Sequence, residues 1–259
     1  MRYLLSPPGE RRLRELAGSH TLYAFDFDGT LAPIVTDPER ARASTGVLRL
    51  LDELARAAPV TVISGRRRSD LVPRVPPSVR YLVGNHGNEG AQGVDMEAMR
   101  SACETWRRQI AAHGPEMTEL GITLEDKTFS LALHYRLARQ REAAAALVYD
   151  LASQLSPAPR LIGGKFLLNL LAPGAQTKFE ALVALAAREH AAHVLFVGDD
   201  DTDEIVFAQA PAHWTTVRVE LEQSSSAQYF LHQQSGVAML LHFLVREQVG
   251  RASGVATPR

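Results

Sequence analysis

The chain has 259 residues, 46% apolar and 22% charged, enough for one large domain or two modest ones with a buried core. With 28 basic and 29 acidic side chains the formal net charge is −1, which excludes the basic field that draws proteins onto nucleic acid or anionic lipid. The single cysteine, Cys103, excludes an internal disulfide and a thiolate metal cluster, and no window holds the roughly 18 uninterrupted apolar residues of a membrane span.

The opening MRYLLSPPGERRLREL is too charged for a secretory leader, so the expectation is a cytoplasmic protein. From Thr21, TLYAF is short, apolar and rich in strand formers, and it stops at DFDGTLAP, the pattern of a buried strand feeding a polar loop. Leu48, Leu51, Leu54 and Ala55 recur at helical spacing, and VTVIS follows as a second strand ending at SGRRRSDL. YLVGNHG is a third strand candidate.

The composition then changes. Residues 92–170 predict a helix from Met96 to His113, two strands (GITLEDK and TFSLALHYR), a helix from Glu142 to Gln154, and two short strands (RLIG and KFLLNLL). Helix, strand, strand, helix, strand, strand describes a separate α+β unit inserted into the first domain, the natural position for a lid. HVLFVGDDDTDE resumes the earlier pattern of strand then acidic loop, followed by the helical EIVFAQA, a weaker strand TTVRVE and a helix from Ala238 to Glu247. The last residues, GRASGVATPR, have no apolar period and are expected to form a loose tail over 251–259.

Strands alternating with helices predict an α/β fold with a Rossmann-like parallel-sheet core, residues 1–91 and 171–250, and the smaller cap at 92–170. Ligands of such sheets bind outside the carboxyl ends of strands, so DFDGT, SGR, GNHG and GDDDTDE are expected to meet.

The chemistry follows from these loops. In DFDGT, Gly29 lets the chain turn so that Asp26 and Asp28 take different roles, one attacking and one managing protons. A turn or helix-capping cluster would use the same residue types. GDDDTDE concentrates Asp199, Asp200, Asp201, Asp203 and Glu204, more negative charge than a cap needs and easiest to hold around a hard cation such as Mg²⁺. Ser64, read as standing at a helix start, offers a hydroxyl and an N–H to a phosphate, Arg66 a planar fork, and Lys178 a neutralising charge. Arg67 and Arg68 are read as a solvated face.

In this order the four pieces resemble the haloacid dehalogenase-like phosphatases, over about residues 21–90 and 163–231. The resemblance implies that Asp26 is the nucleophile, Asp28 the general acid/base, and Ser64 and Lys178 the phosphate binders. It further implies Mg²⁺ held by Asp26, Asp28 through its carbonyl, and Asp199, with Asp203 one step behind, and a C2-type cap. ISGR, GNHGNEG, LALHYR, the GK-initiated strand GKFLLNLL ahead of Lys178, and GDDDTDEIVF are similar to the trehalose-6-phosphate phosphatases in particular. The expected substrate contacts are Thr30, Gly65, Arg66, His86, Lys127, His134, Arg136, Lys165 and Asn169, and the expected partner is a small sugar phosphate, with the oligomeric state left open and a monomer favoured. The chain departs from that family where Asn169, Leu171 and Ala172 replace its usual glutamate, basic residue and proline, and where Phe179 replaces the glycine after the lysine. A phosphatase of sucrose phosphate or of a mannosyl- or glucosyl-phosphoglycerate is the alternative enzyme. A non-catalytic sugar-phosphate sensor is the alternative of another class, and it predicts a damaged catalytic set.

Overall fold

The computed structural model describes residues 1–90, 94–164 and 166–252. The chain divides into two compact units, Met1–Gly90 with Lys178–Arg259, and Ala91–Thr177.

In the larger unit, β1 (Arg2–Tyr3) leads into α1 (Pro7–Ala17), then β2 (Thr21–Phe25), α2 (Thr45–Ala57), β3 (Val60–Ile63), the short α3 (Arg68–Leu71) and β4 (Tyr81–Val83). The smaller unit contains α4 (Met96–Ala111), α5 (Gly114–Glu119), β5 (Thr123–Asp126), β6 (Ser130–His134), α6 (Arg141–Gln154), β7 (Arg160–Gly164) and β8 (Leu167–Leu171). The larger unit resumes with α7 (Lys178–Arg188), β9 (His193–Gly198), α8 (Asp201–Gln209), β10 (Thr215–Val219), β11 (Tyr229–Leu231) and α9 (Gly236–Ala252). Thus α9 continues past Glu247 into the stretch read as tail, and 253–259 lie outside the described residues.

The larger unit is built on a seven-stranded parallel sheet in the order β1-β11-β10-β9-β2-β3-β4. It has two strands more than the five expected, because β1 and β11 are only two and three residues long. From β2 the chain proceeds outward through β3 and β4, then returns to β9 on the other side of β2, so the topology reverses between β2 and β9. Every residue of β2 and β3 is buried, which is why they read as continuous apolar runs rather than alternating ones. On α2, Val47, Leu50, Leu51 and Leu54 form one buried stripe, and Ser44 caps the helix by accepting from the Val47 N–H at 3.2 Å. That stripe joins Tyr23, Phe25, Leu240, Leu241 and Leu244 in the core, each such side chain stabilising the fold by about 1.5–3 kcal/mol through burial.

The smaller unit is a four-stranded antiparallel sheet, β5-β6-β8-β7, with two long helices. Met99, Ala102, Cys103, Trp106 and Ile110 form the buried face of α4, and Trp106 Nε1 donates to the Pro157 carbonyl at 2.7 Å. Cys103 is a packed hydrophobe, its thiol pushed up to about 12 by burial. No described helix is long and apolar enough to cross a membrane.

Candidate active site

The reversal between β2 and β9 brings the two acidic loops side by side. The Asp26 N–H donates to the Val197 carbonyl at 2.9 Å, so Asp26 keeps the sheet register for one more residue and its carboxylate is buried. The chain then turns tightly. Ala32 N–H donates to Phe27 O and Gly29 N–H to Ala32 O, both at 2.8 Å, with Gly29 at φ 76°. The turn swings Asp28 outward, leaving its side chain 38% exposed against 6% for Asp26. Glycine suits position 29 because φ is left-handed there and a Cβ would stand 1.9 Å from Asp199 Oδ2, displacing that carboxylate.

The aspartates after β9 divide the labour. Asp200 caps α8, accepting from Thr202 N–H at 2.8 Å, Thr202 Oγ1 at 2.7 Å and Asp203 N–H at 3.2 Å. Asp203 is fully buried, and its Oδ2 accepts from the N–H groups of Asp199 at 2.9 Å and Asp200 at 3.2 Å. It therefore shapes the loop that presents Asp199. Lys178, the first residue of α7 and 3% exposed, donates from Nζ to Asp26 Oδ1 at 2.9 Å and to Asp203 Oδ1 at 2.7 Å.

Asp26, Asp199 and Asp203 each place a carboxylate oxygen within 4.8 Å of the others. An all-oxygen donor set fits a hard divalent cation of the magnesium and calcium class better than zinc or copper. Proton affinities carry the same message. Burial pushes the Asp199 carboxyl up to about 9, and the neighbouring Asp26 and Asp203 charges add to the effect. Burial also pushes Asp203 up to about 6 against the opposing pull of Lys178, and raises Asp26 well above the ordinary range, again opposed by Lys178.

These shifts fix the sign of a pH dependence. The unfolded chain releases its aspartate protons near about pH 4, whereas in the native cation-free cluster Asp203 holds its proton up to about 6 and Asp199 up to about 9. Folding therefore takes up protons in this window, and stability is lost as pH rises. Lys178, raised above its ordinary value by Asp203 and Asp26 despite burial, stays charged throughout. We predict that chelator-treated protein melts at falling temperature from about pH 6 to about pH 8.5, and that saturating Mg²⁺ flattens the slope by binding the native carboxylates. Parallel slopes in thermal melts with and without Mg²⁺ would contradict the assignment.

Arg66 grips Asp28 with both arms of its fork, at 2.6 and 2.7 Å, and donates to the Pro38 carbonyl at 2.7 Å. The helix expected at Ser64 starts only at Arg68 and spans four residues, too short to orient a phosphate by its dipole. Ser64 is nevertheless buried, its Oγ accepting from Arg66 N–H at 3.3 Å. His86 is buried at φ 60° and crosses so close to Gly65 that a Cβ there would stand 2.5 Å from its Cε1. Thr30 is buried with Oγ1 3.4 Å from Asp199 Oδ1.

In the smaller unit, His134 Nε2 lies 2.8 Å from Glu125 Oε2, Lys127 Nζ lies 3.7 Å from the same oxygen, and Arg136 is exposed on the turn after β6. Asn169 is buried in β8, donating from Nδ2 to the Ile162 carbonyl at 3.3 Å, while its Oδ1 has no hydrogen-bond partner among the described residues. Lys165 lies outside the described residues. Arg218 was not singled out by the sequence, yet it braces the acidic loop by donating to Glu204 Oε1 at 2.7 Å and the Asp200 carbonyl at 3.4 Å.

A family model described as trehalose-phosphatase matches residues 24–235. The trehalose-phosphate phosphatase of Mycobacterium tuberculosis (strain ATCC 25618 / H37Rv) is 30% identical over 246 residues, covering 86% of this chain and 61% of that protein. That of Mycobacterium avium (strain 104) is 34% identical over 203 residues, 74% of this chain and 52% of the relative. The chain therefore spans between about half and two thirds of these relatives' length. Among solved structures, the C-terminal domain of C. albicans trehalose-6-phosphate phosphatase superposes with a TM-score of 0.72 at 23% identity, over 91% of this chain and 96% of that one, which speaks for the fold.

Proposed function

The chain belongs to the trehalose-phosphatase family, and from that premise we propose that it hydrolyses a phosphorylated sugar, trehalose 6-phosphate before others, through an aspartyl phosphate on Asp26. The observation that carries the reading is the meeting of Asp26, Lys178, Asp199 and Asp203 at one sheet edge.

An Asp26 oxygen attacks phosphorus in line, and the bond from phosphorus to the sugar oxygen breaks. Asp28 gives its proton to the departing oxygen, then takes one from the water that attacks the aspartyl phosphate, releasing phosphate and restoring Asp26. Because Arg66 holds both Asp28 oxygens, proton delivery requires that carboxyl to turn from the guanidinium toward the leaving group. Burial opposes the ionised Asp26 that attack needs, and Lys178 supports it. Ser64 and Lys178 supply donors for the equatorial phosphoryl oxygens. Mg²⁺ would be held by Asp26, Asp199 and the Asp28 carbonyl, with Asp203 behind, and supplies charge neutralisation between carboxylate and phosphate dianion. Contacts to the substrate by Thr30, Gly65 and His86, and to the sugar by Lys127, His134, Arg136, Lys165 and Asn169, belong to the same proposal.

The test is phosphate release from trehalose 6-phosphate with and without Mg²⁺, beside sucrose phosphate and glucosyl-phosphoglycerate, compared by kcat/KM. The expected outcome is Mg²⁺-dependent release with trehalose 6-phosphate preferred. Preference for another ester would move the substrate assignment, and no release from any would favour a sensor.

A further inference from the structure

We infer that Gln234 is a positioning residue for the cation site. It lies in the turn between β11 and α9, where no sequence motif marks it. Its Nε2 donates to two backbone carbonyls of the nucleophile loop, Thr30 O at 2.8 Å and Leu31 O at 3.2 Å. Both residues are buried, Thr30 at 0% and Leu31 at 1% exposure, so water is a poor substitute for the amide. The backbone of Gln234 is itself held in place, since its main-chain carbonyl accepts from Val237 N–H at 3.0 Å as α9 begins.

The loop it grips has no slack toward the acidic cluster. Thr30 Oγ1 approaches Asp199 Oδ1 at 3.4 Å, and Gly29 packs so tightly on the same carboxylate that it has no room for a Cβ. Any shift of the Thr30 and Leu31 backbone is therefore transmitted to Asp199, and to Asp28 at the other end of the turn. The side-chain amide fixes that backbone from outside the two acidic loops and touches neither cation ligand nor substrate.

The inference rests on the cation reading of the proposed function and is tested by calorimetric titration of Mg²⁺, a readout separate from turnover. Gln234→Glu keeps the shape but aims a carboxylate at two carbonyls, and we expect Mg²⁺ affinity to fall roughly tenfold or more, as for other groups that orient metal ligands. Gln234→Lys restores a donor able to reach both carbonyls and should recover most of the loss, while Gln233→Ala, its exposed neighbour, should bind Mg²⁺ as the unchanged protein does. Should Gln234→Glu fail to fold, Gln234→Ala is titrated in its place and should weaken binding in the same direction. Unchanged Mg²⁺ affinity in the folded Gln234 variants overturns the inference, as does absence of Mg²⁺ binding by the unsubstituted chain. Tight Mg²⁺ binding without hydrolysis of any sugar phosphate would sink the proposed function and leave the role of Gln234 standing.

Discussion

Asp26→Asn is expected to lower kcat by at least about a thousandfold, a loss of roughly 4 kcal/mol of transition-state stabilisation, while leaving the fold intact. The amide has nearly the same size, so packing at the end of β2 is preserved. It cannot form the acyl phosphate, so the covalent route closes. The effect on stability should run the opposite way. Burial opposes the charge on Asp26, and Asp199 and Asp203 crowd the same space, so removing one negative group relieves repulsion in the cation-free protein. Lys178 keeps Asp203 as a partner at 2.7 Å, so no buried charge is stranded. The variant should therefore melt no lower than the parent without Mg²⁺, and on the proposed cation site it should gain less from added Mg²⁺ than the parent does. Near-normal turnover in Asp26→Asn, or a phosphoryl-enzyme trapped from it by rapid quenching, would discard the mechanism.

How much of this was legible in the sequence depends on the length of each signal. β2, β3 and β9 are buried along almost their whole length and end abruptly at polar loops, so run length and punctuation sufficed to find them and to read parallel pairing. β1 and β11 carry two and three residues and no period, and were invisible. α1 is hard to read from sequence because its helix-start signal, Ser6 before Pro7, stands ahead of a charged stretch that buries only Gly9, Leu13, Leu16 and Ala17. The acidic loop was found as a whole, but the division between a capping Asp200, a loop-shaping Asp203 and a presented Asp199 depends on where α8 begins, which adjacent aspartates do not reveal. The fork of Arg66 is visible in the sequence, whereas its partner Asp28 is 38 positions away and meets it only through the sheet. Gln234 illustrates the limit most clearly, because a side-chain bond to a backbone carbonyl leaves no pattern in residue types.

The second large effect is expected from Lys178→Met, which removes a positive charge that bonds both Asp26 and Asp203. Methionine fills similar space, so the loss isolates the ammonium. A buried ion pair is a weak argument for stability compared with apolar packing, but taking away one partner strands the other. Here it strands two carboxylates, fully buried Asp203 and Asp26 at 4% exposure, and we predict a destabilisation of about 3–5 kcal/mol at neutral pH without Mg²⁺. The pH dependence distinguishes this from simple mispacking. Lys178 pulls the Asp203 carboxyl down against burial, so its removal lets that carboxyl, already at about 6, rise further. As the pH falls the stranded groups become protonated, and the deficit in melting temperature should shrink between about pH 8 and about pH 5. Lys178→Arg keeps the charge but replaces a compact ammonium with a planar fork, and should recover stability more fully than turnover. Turnover in Lys178→Met should drop by about a hundredfold or more, through loss of a donor to the transferring phosphoryl group and of support for ionised Asp26. A deficit in melting temperature that does not change with pH would assign the lysine to packing alone, and parental kcat would remove it from the phosphoryl site.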